Sequence, residues 1–293
     1  MTAPLAELAS ALSPERRLRI VDVGANPINE PPYGALIDAG VAEVIGFEPQ
    51  REAFEALQKV APTHARFIHG AVGTGGEATF HSWPNAPGMA SLFPFRKASA
   101  RYLGRFRGLA GNERKAQITT RTLDEIEEIE SIDVLKIDVQ GSERDIIEAG
   151  ERKLEGAIAV ITEMRFYALY EGEPALWELD LELRRQGFVL HRFLPMARAL
   201  LPSRYASHLS RGARTQLIDG DAVYIKPLER LAEWTDEALI RMALAAAGAF
   251  QSYDMALMIL AQLEDRGRIT QAAIERFIAT IPAKLRAEEA VTP

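Results

Sequence analysis

The sequence contains no cysteine among its 293 residues. Disulfides, thiolate nucleophiles, Cys-ligated zinc and iron–sulfur clusters are therefore excluded, and any chemistry has to come from carboxylates, hydroxyls, amides, five histidines or a bound cofactor. Apolar stretches are strand-length or broken by charge, so no transmembrane segment is expected. The opening MTAPLAELASALSPERRLRI places acid before base and lacks a basic segment followed by an apolar run. It does not read as a secretory signal, and a cytoplasmic protein is the default expectation. A basic surplus is also missing: 34 Lys+Arg against 41 Asp+Glu leave a formal charge of −7, which argues against non-specific nucleic-acid binding. What is present is a 47% hydrophobic fraction, enough for a chain of this length to bury a core without staples, so disorder is excluded.

Strand-length apolar runs recur, each followed by residues at helical spacing, which is the signature of parallel strands covered by helices. Strands are expected near residues 19–23, 44–47, 66–69, 134–139, 158–163, 188–193 and 222–227. Helices are expected at 49–60, at 142–149 before a Gly150 stop, and from Pro174 to a Gly187 stop. The fold class is thus α/β with a seven-stranded sheet. The last two strands have no crossover helix between them, so the final strand should run antiparallel. Two connections, 83–116 and 195–220, are long and basic, and are assigned to the substrate side at the C-terminal edge of the sheet. Residues 1–227 then form the main domain and 228–293 a helical extension. The apolar stripe of that extension, from Leu231 and Trp234 to Leu260 and Leu263, is expected to pack on the domain or on a second copy, making a homodimer through these helices the candidate assembly.

The first predicted strand ends in Asp22-Val23-Gly24-Ala25-Asn26. A glycine there lets the backbone turn without Cβ obstruction and lets a ligand approach the chain. The second strand delivers Gly46-Phe47-Glu48-Pro49, an acid at the position where a doubly wound sheet holds a ribose diol. No G-x-G-x-x-G is present, because Asn26 and Ile28 occupy the later positions, and no G-K-[ST] phosphate loop occurs. A pyrophosphate cradle is unsupported, which disfavours a nicotinamide-dependent oxidoreductase and leaves S-adenosylmethionine as the natural adenosyl cofactor. A cofactor-binding scaffold that recruits a biosynthetic partner through its helical tail is the non-enzymatic alternative.

Over residues 19–227 the chain resembles the FkbM-like S-adenosylmethionine-dependent methyltransferases. The resemblance rests on the two segments above and on Ile132-Asp133-Val134-Leu135-Lys136-Ile137-Asp138-Val139-Gln140-Gly141-Ser142-Glu143, with Glu163, Leu169-Tyr170-Glu171-Gly172-Glu173-Pro174 and Gly220-Asp221-Ala222-Val223-Tyr224 beyond it. It implies the class I methyltransferase fold (Rossmann-like) and O-methylation of a hydroxyl on a sugar, glycan or related natural-product intermediate. It further implies that Asp22, Gly24, Ala25 and Asn26 line the methionine and ribose end, that Glu48 with Pro49 holds the ribose, and that Gly70, Ala71 and Val72 flank the adenine, with Asp138 also reaching the cofactor. One departure stands out: Pro31 and Pro32 permit only the first turn of a helix after Asn26, so that helix should begin near Pro32.

Methyl transfer to an alcohol needs a route for the acceptor proton, either a general base or a metal ion that lowers the hydroxyl pKa. Asp138 and Glu163 close adjacent predicted strands, and are the candidates for base duty or for binding Mg²⁺. The alternatives are that Asp138 orients Lys136 and that Glu163 pairs with Arg165. His208, in the second basic loop, is the histidine best placed to act as a base. Tyr167 and Tyr170 are candidates for stacking on a sugar. Arg96, Arg101, Arg105 and Arg204 stand for the basic segments and point to an anionic acceptor, such as a nucleotide-linked sugar, an acidic glycan or a lipid phosphate.

Overall fold

Runs of Val, Ile and Leu become strands wherever both faces can be covered. In chain order the strands are β1 (Leu18–Val23), β2 (Ala42–Glu48), β3 (Ala65–His69), β4 (Ala71–Val72), β5 (Gly76–Ser82), β6 (Arg114–Arg121), β7 (Val134–Ile137), β8 (Ala159–Arg165), β9 (Val189–Ala199) and β10 (Gln216–Ile225). The helices are α1 (Thr2–Leu12), α2 (Gly34–Asp38), α3 (Arg51–Val60), α4 (Lys97–Leu103), α5 (Glu143–Glu148), α6 (Glu151–Leu154), α7 (Leu176–Arg185), α8 (Asp236–Ala245), α9 (Tyr253–Asp265) and α10 (Gln271–Thr280). This computed structural model describes residues 2–28 and 30–287.

Seven strands form one sheet in the order β3-β2-β1-β7-β8-β10-β9. The first five are parallel where they pair, while β10 runs antiparallel to both β8 and β9. This is the expected α/β sheet of seven strands with an antiparallel last strand, the arrangement that the resemblance implies. Its core joins Val21, Val23, Phe47, Leu135, Ile137, Val160 and Tyr224 to Ile146, Ile147, Leu179 and Leu183 of the covering helices. The helix ends follow ordinary rules: α3 carries Glu52 in its first turn and Lys59 in its last, each favourable against the helix dipole. Gly187, at φ +81°, ends the α7 segment as expected.

The first long connection is more ordered than its sequence suggests. A second sheet, β4-β6-β5, occupies residues on both sides of it, and α4 lies inside it. The second connection is shorter than expected, because β9 continues to Ala199 and β10 begins at Gln216. The basic loop proper is therefore residues 200–215.

The chain forms two compact units, one of Arg19–Asn29 and Val44–Pro227, the other of Met1–Leu18, Glu30–Glu43 and Leu228–Pro293. The helical unit thus takes in α1 and α2 as well as the C-terminal helices. Within it α8 packs against α9 and α1 against α10, and Leu239, Met242, Leu244, Phe250, Leu260 and Leu263 of the expected stripe are buried. No helix among the described residues is long and apolar enough to cross a membrane.

Candidate active site

The parallel strands β1, β2 and β7 end side by side, and the backbone there is pinned by hydrogen bonds between the strand ends. Gly24 N and Ala25 N both donate to Phe47 O, at 3.1 and 3.0 Å, and Asp138 N donates to Val23 O at 3.0 Å. Gly24 has φ +85°, and a Cβ at this position would run into the carbonyl oxygen of Asp138. Only glycine lets the turn lie this close to β7. Asn26 Oδ1 accepts from Ile28 N at 3.0 Å and fixes the next turn.

A cleft opens above these ends. It is lined by Gly24, Asn26 and Ile28, by Glu48, Pro49 and Gln50, by Gly70, Ala71 and Val72, by Ala90, Ser91 and Leu92, and by Asp138, Val139, Gln140 and Ser142. Eight of the residues expected at the cofactor therefore share one cleft: Gly24, Asn26, Glu48, Pro49, Gly70, Ala71, Val72 and Asp138. Asp22 and Ala25 are buried beside it rather than lining it. Asp22 faces Lys136 across the β1/β7 register, with Oδ1 3.2 Å from Nζ. Burial opposes the charge of Lys136, but Asp22 and Asp138 outweigh it and hold this lysine above its ordinary range.

Glu48 is only 2% exposed, and its Oε1 accepts from Gln50 N at 2.6 Å. Burial pushes its carboxyl up to about 7, with the charge of Asp22 adding to the rise and the Gln50 hydrogen bonds and Lys136 opposing it. Ser142 Oγ is buried on the cleft wall and has no hydrogen-bond partner in the protein. Such a group calls for a ligand atom or water. A glycine cradle, a buried acid and an unpartnered hydroxyl fit an adenosyl cofactor: Glu48 would hold the ribose hydroxyls, and residues 70–72 would border the base.

Asp138, Glu143 and Glu163 bring carboxylate oxygens within 4.8 Å of one another. Each is already engaged. Glu143 accepts from the backbone N–H of Val139 at 3.0 Å and of Gly141 at 2.9 Å, closing the turn after β7. Gln140, at φ +61°, donates its amide to Asp138 Oδ1 at 2.8 Å and to Glu163 Oε2 at 3.1 Å. Arg165 Nη2 lies 2.6 Å from Glu163 Oε2 and also donates to Gln140 Oε1 at 3.0 Å. A divalent ion needs a shell of oxygen donors, whereas here an amide N–H₂ and a guanidinium occupy the space between the acids. The donor set does not fit the expected Mg²⁺, and Glu163 takes the alternative role of partner to Arg165.

Arg165 also approaches Glu173 at 3.5 Å and Asp219 at 2.7 Å. Burial pushes the carboxyls of Glu163, Glu173 and Asp219 upward, and the single guanidinium they share pulls against that rise. Asp138 is the member of this group that lines the cleft.

The remaining expected residues lie elsewhere. Tyr170 is buried, with Oη 3.1 Å from Gln140 Oε1 and 2.9 Å from Met89 O, so it has no free face for a sugar. Tyr167 stacks on Tyr102 with centroids 4.9 Å apart. His208 is exposed in a short turn, and neither it nor Arg96, Arg101, Arg105 and Arg204 lines the cleft. The sequence did not single out Gln140 or Ser142, although both lie within the Asp138–Glu143 block. Their signal is positional: the turn after β7 has to place side chains over the cleft.

Comparison with known proteins places this geometry in a family. The model of the methyltransferase FkbM domain matches residues 22–190. No curated protein matches the sequence significantly. Similar solved structures include a precorrin-6y methyltransferase from Geobacter metallireducens, at 11% identity and TM-score 0.35 over 76% of this chain and 87% of that one. Magnesium protoporphyrin IX methyltransferase from Synechocystis with bound S-adenosylmethionine gives 12% and 0.36 over 77% of each chain. Fibrillarin from Aeropyrum pernix with natively bound S-adenosylmethionine gives 13% and 0.34 over 76% of each. The family match spans more than half of the chain and contains the Gly24 turn, Glu48, Asp138 and Glu163, so the chain belongs to the FkbM family of S-adenosylmethionine-dependent methyltransferases.

Proposed function

We propose that this methyltransferase is an O-methyltransferase, acting on a hydroxyl of a sugar, glycan or related natural-product intermediate that carries negative charge. The observation that carries the reading is the meeting of Gly24, Glu48, Ser142 and Asp138 in one cleft. The first three suit the nucleoside end of a cofactor, and Asp138 supplies a carboxylate on the same wall. Bound S-adenosylmethionine supplies an electrophilic methyl group on a sulfonium sulfur.

Asp138 is the general base of this proposal. With the cofactor bound, Asp138 would accept the proton of the acceptor hydroxyl as that oxygen is methylated. Gln140 holds the Asp138 carboxylate by donating to Oδ1 at 2.8 Å, on the cleft wall where the acceptor would approach. Negative charge on the acceptor is supported by the basic segments around the sheet edge, where Arg105 acts electrostatically on Asp219. Titration calorimetry with S-adenosylhomocysteine tests the cofactor half, with NAD as control and Glu48→Ala alongside. Binding of the homocysteine nucleoside that is lost in Glu48→Ala is expected; binding of NAD instead would overturn the assignment.

A further inference from the structure

Two stretches of the sheet-bearing unit contain basic residues and no acid. Residues 96–112 hold five Lys or Arg and residues 198–215 hold four, in a chain whose formal charge is −7. They meet in space. Pro202 packs so closely over Gly104 that a Cβ there would stand 3.1 Å away, and Arg105 Nη1 donates to Arg198 O at 3.3 Å. Tyr102 Oη donates to Gln216 Oε1 at 3.1 Å. The end of α4 and the β9–β10 loop therefore make one surface, from which Arg101, Arg204, Arg211 and Arg214 project into solvent.

Apolar side chains stand among these cations. Leu201 is 39% exposed, Tyr205 59% and Leu209 55%. One exposed leucine needs no explanation, but three apolar groups within nine residues, interleaved with arginine, are a local concentration that solvation alone does not favour. Cations that meet anionic headgroups beside apolar tips that enter the acyl boundary are the chemistry of interfacial membrane contact. A nucleic acid would satisfy the arginines but would leave Leu201 and Leu209 in water.

The surface also faces a useful direction. Because β10 is antiparallel to β8, its first residues lie beside the last residues of β8, with Asp219 opposite Arg165 and Asp221 opposite Glu163. The loop preceding β10 thus emerges at the sheet edge that carries Asp138 and the cleft. We infer that the surface formed by α4 and the β9–β10 loop docks this edge onto an anionic lipid bilayer. The docking stands on surface chemistry alone; its corollary, a hydroxylated acceptor presented at the lipid surface, rests on the O-methyltransferase reading.

The test is co-sedimentation of the full chain with vesicles of equimolar phosphatidylcholine and phosphatidylglycerol, against pure phosphatidylcholine. Binding to the anionic vesicles alone, weakening with salt, is expected. Arg211→Glu/Arg214→Glu should lower partitioning by about 30-fold or more, from the loss of two cations near the surface. Leu201→Ser/Leu209→Ser should lower it by about tenfold while leaving the salt dependence unchanged. Equal binding to both vesicle types, or no effect of either variant, overturns the inference. So does tighter binding of an RNA homopolymer that displaces the protein from vesicles, or conversion of a dimer to a monomer by the patch variants in sedimentation velocity. Calorimetry with S-adenosylhomocysteine on the same proteins keeps the two readings apart. Cofactor binding without vesicle binding sinks the docking alone, and vesicle binding without cofactor binding sinks the methyltransferase assignment of the cleft.

Discussion

If Glu48 holds the ribose as a carboxylate, cofactor binding has to ionise it. Burial raises this group from an ordinary 4.5 to about 7, so below neutrality most of the free protein carries it protonated. The apparent dissociation constant then contains a factor of one plus the proton concentration divided by the acid constant. Between pH 8 and pH 5.5 that factor grows about 30-fold, or about 2 kcal/mol, steepening toward tenfold per pH unit on the acid side. The stability of the free protein moves with the opposite sign. An acid whose folded pKa is raised contributes stability that is fully present below 4.5 and is lost as pH rises through about 7, at most about 3 kcal/mol here. The rise in Tm caused by S-adenosylhomocysteine should therefore increase with pH. Calorimetry from pH 5.5 to 8 checks the binding side, with Glu48→Gln as the decisive comparison. The amide neither ionises nor repels Asp22, so its profile should be flat and its affinity at pH 8 lower by about tenfold, the worth of a charge-assisted hydrogen bond. A flat profile for the natural protein, or an unchanged slope in Glu48→Gln, would refute the placement of Glu48 at the ribose.

Other consequences are equally direct. Gly24→Ala combines a left-handed φ of +85° with a collision against the Asp138 carbonyl, and should cost about 3 kcal/mol or more in urea unfolding while abolishing cofactor binding. Asp138→Asn should lower kcat by roughly 10²–10⁴-fold, with S-adenosylhomocysteine affinity within a few-fold of the natural value; equal loss of both would make Asp138 a binding residue instead. Arg165→Met strands Glu163, Glu173 and Asp219 without their shared cation and should cost about 3–5 kcal/mol by chemical denaturation. Glu163→Gln keeps an acceptor for Arg165 and removes one of the carboxyls that burial raises. The stability those groups contribute at low pH is lost as pH rises through their raised folded values, so this variant should lose less Tm than the natural protein as pH rises from the ordinary value of 4.5.

What could be read from the sequence follows from where side chains lie. The strands β1, β7 and β8 are buried almost along their whole length, so they appear in the sequence as strand-length apolar runs. The strand β6 is exposed at most positions, with sequence RKAQITTR, and β5 is little more buried, so the second sheet left no alternation to detect. The membership of α1 and α2 in the helical unit depends on contacts between residues more than two hundred positions apart, as in the packing of α1 against α10. No local pattern encodes that.

The same distinction runs through the site. Gly24, Glu48 and Asp138 were legible because each closes a strand, and a strand's C-terminal end in a doubly wound sheet is where side chains meet ligand. The network that decides what Asp138 can do was not, because it joins Gln140 to Arg165, and Arg165 to Glu173 and to Asp219 in a strand whose pairing alone brings it near. Spacing made Asp138 and Glu163 look like a pair of oxygen ligands. In three dimensions Gln140 stands between them with both amide hydrogens committed, and Arg165 neutralises Glu163 from the other side. The two acids thereby part in role. Glu163 belongs to the buried charge network around Arg165, and Asp138, tethered to Gln140 through one oxygen, is the acid left on the cleft wall.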